Sequence, residues 1–319
     1  MGFLTRYGTN WGSIPEQGGN IYWVSPSDSY STIDGRTYSA SDDNDGLSPE
    51  RALRRINRAW GLVSANRDET IALLPGTHSA AAAGTSTATS IAANVAGVRM
   101  VGIPRNSQTG NPYRKKTFVT CAAADETINV TAADIEMANF TLLGDVLNTG
   151  SANLNLSAAA SGFYMHDFGV DVTAQTASTS ILGIDSTGAA ANVVVQRGYF
   201  RCDGAFGAMV DTTALVNSLV EYCDFDQTTG TLASDITVGA ATTVTIRRNS
   251  FWGAGTHTAA IDGTGATVAG ACRLHYNLFS VLCTVPIDNF SATNLTDLLN
   301  NYIATIGGGT GGTLVSANT

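Results

Sequence analysis

Charge is what this chain of 319 residues has least of. Asp, Glu, Lys and Arg make up 13% of it, about half of the ~25% usual in soluble domains. A surface so poor in charge is either covered by other subunits or built from stacked β-coils that use small residues throughout. Positive charge thins out most along the body. Residues 117–319 hold five Lys/Arg against seventeen Asp/Glu, a balance of −12, whereas residues 1–116 hold twelve against nine, or +3. An acidic body argues against nucleic acid as a ligand, since neutralising phosphates needs basic side chains. The basic end suits an acidic partner.

Other absences exclude further classes. The five cysteines (Cys121, Cys202, Cys223, Cys272, Cys283) form no CxxC pair and no zinc-finger spacing, so buried thiols are expected. Their odd number, with no signal peptide at the start, gives the expectation of folding in a reducing cytosol. Met1-Gly2 begins like a myristoylation signal, but Arg6 stands where Ser or Thr is required. No apolar run approaches the roughly 20 residues that span a bilayer, so no membrane partner is expected. There is no phosphate loop and no nucleophile elbow, and the four histidines are scattered. The run DDNDG at 42–46 looks like a calcium loop, yet with Ser41 in first position its bidentate acid falls on Ala52. An Asx turn bent at Gly46 is expected there instead, and neither a metal nor a cofactor is expected.

What is present is a repeat. Between Ala133 and Ile303 an apolar residue is followed five positions later by an aromatic or large aliphatic anchor, seven times: Ile135/Phe140, Phe163/Phe168, Val195/Phe200, Val220/Phe225, Ile246/Phe251, Leu274/Phe279 and Leu298/Ile303. Two before the anchors stand Ala138, His166, Gly198, Cys223, Asn249, Asn277 and Asn301, and five of these seven are residue types that enter the left-handed region readily. A strand, a one-residue corner and a second strand make one coil of a solenoid, and a period of 20–50 residues is its signature. The spacing predicts an all-β, right-handed parallel β-helix whose coils stack at roughly 4.8 Å. A β-sandwich is the rival, but it calls for hairpin signals, which are scarce here.

Read in order, residues 1–19 form an arm with Phe3, Tyr7 and Trp11 that packs on the body or docks onto a neighbour. NIYWV at 20–24 reads as a strand. Ser48, Pro49 and Glu50 then give an N-cap, a first-turn proline and a first-turn acid, and Leu53, Ile56, Trp60 and Val63 follow at helical spacing. This predicts one capping α-helix over about 49–64, with Arg51, Arg54, Arg55 and Arg58 on or beside its opposite face, covering the open edge of a solenoid that starts at TIALLPG (70–76). A polar loop at 105–116 ends in Arg114, Lys115 and Lys116, either solvated or touching an acidic neighbour. The β-helix domain is expected over 20–306, and the Gly-rich tail 307–319 as a flexible or partner-ordered arm.

The run DNDGLSPERALRRINRAW followed by IALLPGTH resembles the beginning of right-handed parallel β-helix proteins of the pectate-lyase-like superfamily. With the N-terminal arm joined directly to it, the chain is most similar, within that superfamily, to virion structural proteins of tailed bacteriophages. The superfamily as a whole includes polysaccharide lyases, glycosidases, tailspikes and capsid decoration proteins, so the resemblance implies the fold and leaves the activity open.

Side chains beside the anchors should form columns. Four before them stand Glu136, Tyr164, Gln196, Glu221, Arg247, His275 and Leu299; one before them stand Asn139, Asp167, Tyr199, Asp224, Ser250, Leu278 and Tyr302. The richest patch gathers Glu221, Asp224, Asp226, Arg247, Arg248 and His275. Paired carboxylates 5–9 Å apart would serve a glycosidase, and acidic ligands beside an Arg or Lys base a lyase. Carboxylates set next to arginines on adjacent coils are otherwise charge pairs on a solvated face. Glu221, Asp224, Asp226 and His275 are thus the alternative catalytic set. The expected role is a non-enzymatic capsid decoration or cement protein in the virion, a homotrimer bound to the major capsid protein or other virion proteins through Phe3, Tyr7, Trp11 and Arg114–Lys116. The alternative is a tailspike or fibre subunit that binds, or also cleaves, a bacterial surface glycan, with Tyr164, Tyr199 and Trp252 stacking on sugars.

Overall fold

In the computed structural model the described residues are 19–31, 36–79, 90–103, 117–120, 126–144, 152–173, 181–203, 206–229, 231–239, 243–253, 256–263, 272–280, 283–288, 295–299, 301–304 and 314–315. Their strands are too short to be stable alone, and each is paired with the strand one coil away. On the first wall, parallel pairing passes from Ile21–Val24 through Thr70–Leu73, Arg99–Gly102, Glu136–Ala138 and the first halves of Tyr164–Asp171 and Val194–Asp203. It continues through Ser218–Glu221, Val244–Arg247 and Cys272–His275 to Leu295–Leu299. The second wall begins at Gly76–Ser79 and ends at Asn301–Ala304, and the third is an eight-stranded sheet from Ile91–Ala93 to Cys283–Asp288. Each coil visits the third, first and second walls in turn. The result is the right-handed parallel β-helix that the repeat predicts. It extends three first-wall strands below the first anchor pair, starting at Ile21 rather than at Thr70. Antiparallel pairs among the described residues are Ser29–Ser31 with Thr37–Ser39, and Asn301–Tyr302 with Leu314–Val315 of the tail.

In-register pairing stacks like on like inside. Phe200, Phe225, Phe251 and Phe279 form one buried column with ring centroids 4.7, 4.9 and 5.0 Å apart and planes within 9° of parallel. Two anchors stand outside it. Val170, not Phe168, lies beside Phe200, and Met165, not Phe163, beside Val195, so the lower coils are read two residues out of register by the anchor pattern. Phe168 instead fills the corner under Gly198, where a Cβ would fall 2.4 Å from its ring, and meets Phe200 edge-on at 5.4 Å.

The left-handed corners also differ from expectation. Positive φ occurs at Asn139, Asp167, Arg197, Tyr222, Arg248 and Tyr276, not at the positions two before the anchors. The asparagines at those positions have another task. Asn249, Asn277 and Asn301 are buried and form a ladder: the Asn277 Oδ1 accepts from the Asn249 backbone N–H at 3.1 Å and its Nδ2 at 3.2 Å, and the Asn277 Nδ2 donates to the Ile246 carbonyl at 3.0 Å and Asn301 Oδ1 at 2.9 Å. Backbone groups that the corner removes from the sheet are thereby satisfied. The column of Asn, Asp and Gly corners lies instead at the approach to the first wall, at Asn66, Gly97, Asp134, Gly162, Asn192 and Asn217.

The expected single helix over 49–64 is two short pieces, a 3₁₀ turn at Pro49–Arg51 and an α-helix at Ile56–Trp60. Between them Leu53 runs parallel to Val24, exchanging backbone hydrogen bonds with Trp23 and Ser25, while the Gly46 carbonyl accepts from Trp23 at 2.7 Å. The open edge of the lowest strand demands backbone partners, and that demand overrides helical periodicity. Ser48 makes no side-chain cap; Asp42 Oδ1 accepts from the N–H groups of Arg54 and Arg55 at 3.2 and 3.0 Å. Ile56, Ala59 and Trp60 still close the bottom of the core.

The ladder is testable by truncation. Asn277→Ala strands a buried N–H and a buried carbonyl, and a loss of about 2–4 kcal/mol is expected in chemical denaturation, at ~1–3 kcal/mol per orphaned group. Phe225→Ala, inside the ring column, should cost about 3–5 kcal/mol. Equal stability of Asn277→Ala and the parent chain would show that water or relaxation replaces the ladder.

Candidate functional site

The outward residues of the first wall form one continuous polar ladder. Arg99 Nε lies 3.0 Å from Glu136 Oε2, and Glu136 Oε1 lies 3.1 Å from His166 Nε2. His166 Nδ1 is 2.7 Å from Asp167 Oδ2, which accepts from Arg197 Nη2 at 2.8 Å. Arg197 and Tyr164 both donate to Gln196 Oε1, Gln196 donates to Glu221 Oε1 at 2.7 Å, and Arg247 Nε donates to Glu221 Oε2 at 2.6 Å. Carboxylates and cations alternate along it, which avoids the repulsion of like charges set opposite one another. Register places Ala138, His166, Gln196, Glu221, Arg247 and His275 in one column, so the expected column is correct from Gln196 upward and shifted by two at Glu136 and Tyr164.

The electrostatics follow from these contacts. Burial by itself would lower His166, but its bonds to Asp167 and Glu136 outweigh that and raise it. Glu136 is lowered chiefly by the His166 hydrogen bond, with Arg99 adding to it. Burial pushes Asp167 upward, yet His166 and Arg197 hold it well below the usual carboxylate range. Beside the ladder a cleft of about 380 Å³ opens between Arg99, Glu136 and Tyr164 and the left-handed corners at Gly97, Asp134 and Gly162.

The alternative catalytic set is divided between walls. Glu221 is buried and held by Arg247 and Gln196 on the first wall. Asp224 and Asp226 face outward on the second wall, where burial raises Asp224 against a hydrogen bond from Ser250, and Asp226 accepts the Tyr199 hydroxyl. His275 is on the first wall above Arg247. The structure therefore ties each acid to a neighbour, with Glu221 on a different wall from Asp224 and Asp226. Asp45 makes the expected Asx turn to Leu47 N at 3.1 Å. Among the described residues no group of three or more His, Cys, Asp or Glu is placed to hold a metal. Burial pushes the Cys223 and Cys272 thiols up to about 12, as buried, unreactive thiols. Phe3, Tyr7, Trp11, Arg114, Lys115 and Lys116 lie outside the described residues.

Two features escape the sequence pattern. The corner between the first and second walls carries an exposed ridge in which Arg248 lies 5.3 Å from the Tyr222 ring and 5.9 Å from the Tyr276 ring and donates to the Tyr222 hydroxyl at 2.7 Å. Tyr222, Tyr276, Trp252 and Leu278 are 46%, 48%, 44% and 45% exposed, on neighbouring coils. Of the aromatics expected on the outer face, Trp252 belongs to this surface, whereas the hydroxyls of Tyr164 and Tyr199 are engaged by Gln196 and Asp226. The second feature is a pair of aspartates on the third wall, Asp185 and Asp211.

These walls and corners define a parallel β-helix protein. Solved structures agree. A pectin methylesterase in complex with one hexasaccharide, as a variant, and the enzyme with another hexasaccharide each align over 85% of this chain and 92% of theirs, at 10% identity and a TM-score of 0.55. A Geobacillus virus E2 protein, ORF18, aligns over 78% of this chain and 57% of its own at 12% identity, with a TM-score of 0.35. No protein-family model and no curated protein matches the sequence. At such identities the likeness shows the fold alone.

The polar ladder predicts a pH profile. His166 is raised above its ordinary 6.5, so its contribution is complete below that value and is lost as pH rises through the folded value. Glu136 is lowered below its ordinary 4.5, so its contribution is present above that value and is lost on acidification. The ladder is strongest between these limits, and His166→Gln should remove about 0.5–1 kcal/mol there and flatten the alkaline limb of thermal stability. An unchanged alkaline limb would refute the assignment.

Proposed function

We propose that the chain is a structural protein of a bacteriophage virion, most simply a non-enzymatic decoration protein that binds the head as a trimer. The observation that carries this reading is the commitment of Glu221, Asp226, Glu136 and Asp167 to arginine, histidine or hydroxyl partners: the outer walls are built for rigidity. Attachment falls to the Phe3, Tyr7 and Trp11 arm, to Arg114, Lys115 and Lys116, and to the Tyr222–Arg248–Tyr276 ridge with Trp252. Tyr, Trp and Arg are the residue types that dominate protein interfaces.

A second reading, a tailspike or fibre subunit for a surface glycan, is favoured by one observation. Trp252, Tyr222 and Tyr276 are each nearly half exposed on neighbouring coils, and exposed aromatic rings are the groups that stack on sugars. The pectin methylesterases that share the fold were captured with hexasaccharides.

Binding to undecorated heads separates the two. The full chain is expected to saturate heads in many copies, and deletion of residues 1–19 or charge reversal of Arg114, Lys115 and Lys116 should weaken attachment by at least about tenfold, roughly 1.4 kcal/mol. Degradation of capsular or lipopolysaccharide glycan that is abolished by Asp224→Asn would overturn the decoration reading. Retention of attachment after the deletion would remove the arm from it.

A further inference from the structure

On the third wall the in-register rule produces a different column. Asn129, Asn155 and Asp185 follow one another by direct pairing, and Asp211, Thr237 and Asp262 continue it. Because Ile184 pairs with Val210, the next residues, Asp185 and Asp211, face each other across adjacent coils. Unlike the first wall, this column places no cation between its acids.

Asp185 accepts from the Ser186 backbone, and its side-chain partner is Asp211. Below it, the Asn155 Oδ1 accepts from the Thr187 hydroxyl at 2.9 Å, and the Asn155 Nδ2 points to Asn129 Oδ1 at 3.4 Å, away from Asp185. Above it, the Asp211 oxygens are fixed as acceptors by the Thr213 N–H at 2.7 Å and hydroxyl at 3.0 Å. Two carboxyl groups can hydrogen-bond to each other only if one of them is protonated.

We propose that Asp185 and Asp211 form a proton-closed clasp across the middle coils of the third wall, joined by one shared proton in mild acid and opened by its loss as pH rises. The groups acting on the clasp are all acidic or neutral. Asp185 feels burial, then Asp211, with the Ser186 backbone opposing and Glu126 adding repulsion, which pushes it up to about 6. Asp211 is also raised by burial, against Thr213. Asp262 lies two rungs above Asp211. The pair titrates as a unit, so the proton belongs to both residues. A folded value above the ordinary 3.8 of an aspartate means that the stabilisation is full below 3.8 and lost as pH rises through about 6. This window lies below the one in which His166 acts.

Hydrogen exchange on the intact chain tests the clasp locally. After correction for intrinsic exchange, amides of residues 181–186 and 206–211 should exchange at least roughly tenfold faster at pH 8 than at pH 5, a conservative figure for partly exposed groups. Asp185→Asn, which imitates the protonated acid, should keep the slow rate at both pH values, and Asp211→Asn should do the same through the opposite partner. First-wall amides, which sit next to His166 rather than the clasp, should keep their own pH response in both variants. Equal protection of the parent chain at pH 5 and 8 would overturn the proposal, as would a pH response that survives in both variants. Restoration of protection at pH 8 by millimolar calcium would also overturn it, because a cation rather than a proton would then close the pair.

Discussion

The constraint behind the whole molecule is that each strand must take its backbone partners from the coil above and the coil below. Parallel pairing fixes the vertical step near ~4.8 Å, so every side chain lies over another at about van der Waals distance. Inside, the constraint favours flat rings and equal aliphatics, and four phenylalanines stack almost parallel. At the corner, where backbone groups leave the sheet, it favours a side chain that both donates and accepts, and asparagine over asparagine extends the ladder. Outside, it sets acid beside cation on the first wall and acid over acid on the third.

The sequence made the inside legible because burial enforces chemical type. Phe200, Phe225, Phe251 and Phe279 repeat where the core needs rings, so their alignment could be read without coordinates. Below Phe200 the pattern misled by two residues, since Phe140 and Phe168 occupy the corner and the less conspicuous Leu142 and Val170 hold the column. The asparagines misled in a different way. Asn is a familiar left-handed residue, but here its hydrogen-bonding capacity inside the corner outweighs that preference, and the left-handed turn falls on the residue before it. At 49–64 a helical spacing of apolar residues was real, yet the unpaired edge of Ile21–Val24 claimed Leu53 as a strand-like partner.

The sites were less legible than the fold because contacts across coils depend on register. Glu221 beside Arg247 could be suspected once the upper coils were aligned. The Glu136–His166–Asp167 junction could not, because the two-residue shift places Glu136 in the wrong column. Asp185 and Asp211 sit on the third wall, remote from the anchor pairs, and loops of unequal length separate the third-wall strands. The available signal was an aspartate shortly after an apolar pair on each of two successive coils, in LGIDS and GAMVDT, and only strand pairing makes it a contact.

The ridge completes the contrast between walls. Tyr222, Arg248 and Tyr276 hold left-handed backbone, with φ of 54°, 56° and 55°. Each does so at a cost of roughly 1–2 kcal/mol relative to the right-handed or extended regions. The cation–π contacts of Arg248 return only about 0.5–1 kcal/mol at an exposed site. Burial returns little, since the two tyrosine side chains remain nearly half exposed. Asparagine or glycine at the same corners would fold at lower cost, as they do in the opposite column at Asn66, Gly97 and Gly162. Rigid aromatic and guanidinium groups set on a strained corner are therefore only partly compensated by contacts within the chain. The same pairing that exhausts the backbone on the inside leaves these side chains exposed at the corner.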